Sequence, residues 1–146
     1  MYRKILVPLD GTPLAEAVLP HARALAESEG AEIVLLHVPV IPNERFAIGD
    51  PTLESSIVKK IEEEAETYMQ AEVSKLKKKR AKVSGITREG PIPETILAVA
   101  KETKADVIAM STHGRTGIQR WLMGSVAEKV VNLSPIPVML IHPSLN

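Results

Sequence analysis

The sequence has no cysteine, few aromatic side chains, no net charge and no long apolar run. Each absence removes a class of function. Without cysteine there is no disulfide framework, no thiolate nucleophile and no Cys-based zinc site. The 18 basic and 18 acidic side chains cancel, so the chain lacks the field that non-specific binding to nucleic acid or an acidic membrane needs. No apolar run approaches the roughly 18 residues of a membrane span. The start, Met1-Tyr2-Arg3-Lys4, is charged and leads into only a short apolar stretch, Ile5-Leu6-Val7, unlike a secretory leader. A cytoplasmic location is the expectation. Aromatics make up 3% of the chain, and Trp121, with Met123, reads as packing under a loop, not as a stacking platform.

What remains is an ordinary globular composition, 45% apolar and 25% charged over 146 residues, the size of one domain. Short Val- and Ile-rich runs alternate with longer segments of helical period, the pattern of a parallel α/β sheet. The strands are Ile5–Val7, Ile33–Val38, about Lys82–Thr87, Asp106–Met110 and Val138–Ile141. Most are nearly unbroken apolar runs, as strands covered on both faces require. Lys82–Thr87 alternates instead and reads as an edge.

Leu14, Val18, Ala22 and Leu25 form the stripe of a first helix, with Thr12 as N-cap, Pro13 at its first position and Gly30 at its end. A long second helix spans about Leu53–Arg80 on the stripe Ile57, Ile61, Ala65, Tyr68, Met69, Val73 and Leu76. Its Glu62-Glu63-Glu64 cluster lies early and Lys77-Lys78-Lys79-Arg80 late, following the helix dipole, so the basic run reads as a solvated helix end. A third helix follows Gly90-Pro91-Ile92-Pro93, and a fourth covers Ser125 to about Asn132. Between Pro39 and Thr52 there is no period, and a loop of that length either folds over a ligand or bridges to the long helix.

These elements predict a single-domain, five-stranded parallel, doubly wound, Rossmann-like sheet of order 3-2-1-4-5 with helices on both faces. Ligands bind such sheets beyond the carboxyl ends of the strands where the connections reverse, here between strands one and four. The two polar, glycine-bearing strand ends converge there: Pro8-Leu9-Asp10-Gly11-Thr12 and Ser111-Thr112-His113-Gly114. Nine residues, Arg115 to Met123, separate Gly114 from Gly124-Ser125, which opens a helix. Exposed glycine amides beside a helix N-terminus suit a phosphate.

With its opening Ile5-Leu6-Val7-Pro8-Leu9-Asp10-Gly11, the strand end His37-Val38, the Gly90-Pro91 turn and the Ser111–Ile141 block, the chain resembles the universal stress proteins over essentially its whole length, residues 1–146. Nucleotide-binding members carry Gly, two residues, Gly, nine residues, then Gly-Ser or Gly-Thr. This chain has Ser111 at the first of those positions, where the hydroxyl offers a donor to phosphate. The resemblance implies an ATP-binding protein. Asp10 would contact ribose or adenine, the Val38 backbone the adenine edge, and Gly114, Arg115, Gly124, Ser125 and Val126 the phosphates. Pro8, Ser111, His113 and Gly117 complete the candidate set.

Each residue has a plainer reading. Asp10-Gly11 is a common turn pair. Ser125-Val126-Ala127-Glu128 fits a capping box, which would use part of the helix's free amides. Gly114 and Gly117 serve a long turn by positive φ alone. His37, His113 and His142 show no triad or metal-ligand spacing and read as loop or surface histidines. Arg115 pairs with phosphate or with any nearby acid.

The expected function is adenine-nucleotide binding (ATP, ADP or AMP, with Mg or Mn held through the phosphates) with conformational or partner readout. The Arg115–Met123 and Pro39–Thr52 segments would respond to the ligand. No Walker lysine motif is present, so any hydrolysis should be slow. The alternatives are an interaction protein on the same fold without nucleotide, and a slow ATPase or nucleotidyl transferase. The apolar strand Val138–Ile141 would leave an open sheet edge, which antiparallel pairing in a homodimer would cover, and the resemblance implies the same dimer.

Overall fold

The computed structural model describes residues 1–42, 49–113 and 123–143. Five strands, β1 (Lys4–Leu9), β2 (Glu32–His37), β3 (Val83–Thr87), β4 (Val107–Ser111) and β5 (Val138–Ile141), pair in the order β3-β2-β1-β4-β5, all parallel. Side chains alternate across the sheet. Ile5, Val7, Leu9, Ile33 and Leu35 therefore pack on one face with Ala22, Ala26 and Met69, and Leu6, Val34, Leu36 and Ile108 on the other with Ile96, Val99 and Val130. Both faces are covered, which is why these strands read as continuous apolar runs.

The helices are α1 (Pro13–Glu16), α2 (Leu19–Glu29), α3 (Pro51–Lys78), α4 (Ile92–Thr103) and α5 (Ser125–Leu133). The expected first helix is two helices. Thr12 caps α1 as predicted, but Pro20 has no N–H to return to Glu16, so the chain breaks at Ala17-Val18 and restarts as α2. Gly30, at φ 67°, ends α2 in the left-handed conformation. The long α3 starts earlier than its apolar stripe suggests because the Asp50 side chain caps it and Pro51 fills the first position. Only its second half is anchored, through Ala65, Met69, Glu72 and Leu76, and Lys77–Arg80 is exposed as expected. That half lies close on edge strand β3. A Cβ on Gly85 would sit 2.6 Å from Met69 Cγ and 2.9 Å from Val73 Cγ2.

The β1–β4 junction is fastened at one end only. At the amino end, Asp106 Oδ2 accepts the backbone N–H groups of Arg3 at 2.8 Å and Lys4 at 2.9 Å, and Asp106 N–H donates to the Lys4 carbonyl. The ladder then holds only Ile5↔Val107 and Leu6↔Ile108, whereas β1 pairs with β2 from Lys4 to Leu9. Pro8 supplies a reason. Because the Arg3 carbonyl serves β2 and the Lys4 carbonyl serves β4, alternation turns the peptide groups of Leu6 and Pro8 toward β4, and Pro8 has no N–H to give.

The hydrogen bonds from Arg3 and then Lys4 hold the Asp106 carboxyl below the usual carboxylate range. A lowered folded-state value adds stability above the unfolded value, about pH 3.9, and that stability disappears as pH falls through the folded value. Urea unfolding of the parent and Asp106→Asn should therefore differ at pH 6, with the parent more stable, and the difference should shrink progressively below about pH 4.

Candidate functional site

Where β1 and β4 part, a cavity of about 240 Å3 opens at their carboxyl ends. That is a little below the roughly 300–1,000 Å3 usual for small-molecule sites. Its floor is the core side chains Leu36, Ile96 and Met110; Val38, Val40 and Ile92 form an apolar wall. Pro8, Leu9 and Asp10 approach from β1, Ser111, Thr112 and His113 from β4, and Gly124 to Ala127 from the start of α5. Eight of the predicted site residues thus meet at one cavity: Pro8, Asp10, Val38, Ser111, His113, Gly124, Ser125 and Val126. Gly114, Arg115 and Gly117, with Trp121, lie outside the described residues.

Asp10 sits in a tight turn with Gly11 at φ 89°; its Oδ1 accepts Thr12 N–H at 2.9 Å and Thr12 Oγ–H at 2.5 Å. The turn reading of Asp10-Gly11 therefore holds, and it orients the carboxyl at the cavity rim. Val38 stands one residue beyond the paired part of β2, whose ladders end at His37, and is buried. Ser111 is a strand residue. Its hydroxyl donates to the Leu14 carbonyl at 2.7 Å, tying α1 to β4, so the donor expected for phosphate is already engaged.

The capping box does not form. Gly124 is the N-cap, extended at φ −61° and ψ 153°, Ser125 is the first helical residue and no side chain caps the helix. The helix begins one residue earlier than the box requires, and Glu128 N–H already donates to the Gly124 carbonyl. Gly124 N–H donates to the Thr112 carbonyl at 2.7 Å. Among the described residues, the N–H groups of Ser125, Val126 and Ala127 have no partner, and all three residues line the cavity. This is the orphan-donor end that anions favour.

Two of the three histidines expected in loops or at the surface are buried, and only His142 is exposed. His37 is satisfied: its Nδ1–H donates to the Leu9 carbonyl at 2.8 Å and its ring meets Tyr68 edge-on at 5.2 Å. Tyr68 in turn donates to Glu16 Oε2 at 2.8 Å; burial first, and then Glu16, push its phenol above the usual range. His113 is different. Its Nε2 is buried without a hydrogen-bond partner. Met123, expected under the loop, is exposed.

The cavity-facing positions of Val40, Ile92, Ile96 and Met110 were not singled out from the sequence. Nothing in helical or strand periodicity separates a side chain facing a cavity from one facing the core. The one available signal was position, since Met110 ends an apolar run just before the polar strand end and Ile92 opens α4 between two prolines.

The chain matches the Universal stress protein family over residues 1–142. It belongs to the universal stress protein family. A universal stress protein of Methanocaldococcus jannaschii, MJ0577, is 30% identical, with 97% of this chain and 95% of that protein covered. The solved structure of MJ0577 superposes at a TM-score of 0.86 with 32% identity over 100% of this chain and 99% of the other. Two more distant universal stress protein structures share the fold. One, in complex with cAMP, has a TM-score of 0.63 at 19% identity and covers 98% of each chain. The other, from Archaeoglobus fulgidus in complex with dAMP, has a TM-score of 0.67 at 24% identity and covers 96% of this chain and 98% of that one. Among the described residues of this family member there is no cluster of metal-ligating side chains, and no helix is long and apolar enough to cross a membrane.

Gly124 is the tightest backbone approach at the site. A Cβ there would lie 2.7 Å from the Thr112 carbonyl oxygen, which is backbone and cannot rotate away. Gly124→Ala is expected to lower the urea midpoint by the equivalent of about 1–3 kcal/mol and to shift the amide resonances of Thr112 and of the first turn of α5. An unchanged midpoint would show that the α5 start can back away from β4 freely.

Proposed function

We propose that this chain binds an adenine nucleotide, ATP in the first instance, in the crevice between β1 and β4 and acts through what the bound form presents to a partner. The observation that carries this reading is the pairing of an apolar slot with three helix amides that have no partner among the described residues, at one strand-end cavity. A base needs the first and a phosphate the second. The unpaired Nε2 of His113 adds a third group suited to a polar ligand, and the complexes of related proteins with cAMP and dAMP support the ligand class.

In this reading the base lies against Val38, Val40 and Ile92, with the Val38 backbone at its edge, and Asp10 meets the ribose. Ser125, Val126 and Gly124 face the phosphates with the neighbouring Gly114, Arg115 and Gly117, while Pro8, Ser111 and His113 shape the wall. Mg²⁺ or Mn²⁺ would be carried by the phosphates. No lysine or arginine is among the described residues that line the cavity, so holding the nucleotide is favoured over fast phosphoryl transfer.

The reading includes a homodimer through β5. Among the described residues that strand pairs only with β4, all its residues are half-exposed, and Pro137 and Pro143 frame it. Val131 and Leu133 of α5 add exposed apolar surface. Sedimentation equilibrium should give twice the chain mass of 15.9 kDa; a monomer at micromolar concentration would remove this part.

Isothermal titration with ATP and Mg²⁺ tests the main claim. One saturable site per chain is expected. Ser125→Asp should weaken it at least about tenfold by placing like charge beside the phosphates, while stabilising α5 by about 0.3–1 kcal/mol through the helix dipole. Lost affinity in a protein that is no less stable cannot be blamed on misfolding. Failure of folded, nucleotide-free parent to bind would overturn the reading.

A further inference from the structure

Thr112 stands between two imidazoles. Its Oγ1 lies 3.0 Å from Nδ1 of His113 and 3.3 Å from Nδ1 of His142. Its backbone is fixed, N–H to the Ile141 carbonyl at 2.9 Å and C=O to Gly124 N–H at 2.7 Å. The residue is 2% exposed. Only the direction of its hydroxyl hydrogen is left to vary. At one end of the chain of contacts His142 is exposed; at the other, His113 is 8% exposed and is among the residues that line the crevice, with its Nε2 buried and unpartnered.

A hydroxyl has one hydrogen, and a neutral imidazole has one N–H and one bare nitrogen. If Thr112 donates to His113 Nδ1, the His113 proton must sit on Nε2, which then donates into the crevice. If Thr112 donates to His142 Nδ1 instead, His113 donates from Nδ1 and presents Nε2 as an acceptor. A protonated His142 has no bare nitrogen, so it donates to Thr112 and the hydroxyl turns to His113. Protonation of His142 therefore fixes Nε2 as a donor, whereas a neutral His142 permits either role.

We propose that His113 is a ligand-binding group that donates from Nε2 to an anionic oxygen of the ligand, and that His142 is a positioning residue that sets its tautomer through Thr112. The inference rests on the nucleotide reading for the identity of the ligand, but the relay itself does not. Phosphate oxygens only accept, so protonation of His142 favours phosphate binding.

The other ionisable groups of the elements around the relay are few. Asp10 follows β1 among the residues lining the cavity and is held in its turn. Glu16 of α1 accepts from Tyr68. Glu128 lies in the first turn of α5, and Lys129 is paired with Glu94 of α4. None of the ion pairs among the described residues includes His113 or His142.

The direct test is nitrogen-15 NMR of the imidazoles in ligand-free protein between pH 5 and 8, comparing the parent with His142→Ala and the near-isosteric Thr112→Val. As His142 takes up its proton, the parent's His113 should move to the neutral Nε2–H form, and in both variants that coupled change should vanish. A His113 tautomer that ignores His142, or a change that persists in Thr112→Val, overturns the relay. ATP titrations give the functional arm. The ratio of parent to His142→Ala affinity cancels the ligand's own ionisation, and it should rise roughly 2- to 10-fold from pH 8 to pH 6, the worth of one net hydrogen bond. A flat ratio with an intact tautomer switch overturns the ligand contact. Absence of ATP binding at every pH overturns the nucleotide reading as well as that contact, while the tautomer result still decides the relay.

Discussion

The site exists because β1 and β4 are held together at one end and not at the other. The Asp106 carboxylate closes the amino end by taking two backbone N–H groups from β1. Two residue pairs later the ladder stops, at the strand level where Pro8 turns a donor-less nitrogen toward β4. A proline in a central strand ordinarily argues against the strand. Here its missing bond falls at the point where the sheet's connections reverse, so the loss is confined to a place the fold needs open. The crevice is thus a consequence of backbone chemistry, and the side chains lining it are secondary to that opening.

The same economy governs its polar groups. Gly124 draws the start of α5 against the Thr112 carbonyl, and among the described residues nothing caps the helix or takes its next three amides. Asp10 and Ser111, which look like free ligand-binding groups in the sequence, are partly spent on the turn and on α1. What faces the cavity is mostly apolar surface with a few fixed donors. Such an arrangement suits a molecule with one flat apolar end and one anionic end.

Much of this was legible in the sequence. Strand order, the position of the crevice and the two polar strand ends that meet there follow from apolar runs, glycines at strand ends and the connection rule, while Val38 and Val126 entered only through the family resemblance. Boundaries set by single residues were less accessible. Pro20 divides the first helix although its apolar stripe runs on unbroken, and Asp50 starts α3 ahead of its stripe. The capping box failed because a motif shared by many helices cannot say which residue adopts the extended cap conformation. The burial of two histidines was not anticipated for a related reason: His37 ends β2 and His113 lies in the loop after β4, and their partners, the Leu9 carbonyl and Thr112, are set by sheet register and rotamer, not by spacing. The apolar wall was invisible because pocket and core use the same side chains.

Backbone amide resonances followed during an ATP titration would report whether this one crevice takes an adenine nucleotide. Saturating shifts, with a single apparent affinity, are expected at Val38, Ser125, Val126 and Ala127. Shifts gathered instead at the basic end of α3, Lys77 to Arg80, or no saturable shifts in folded, nucleotide-free protein, would contradict the nucleotide reading.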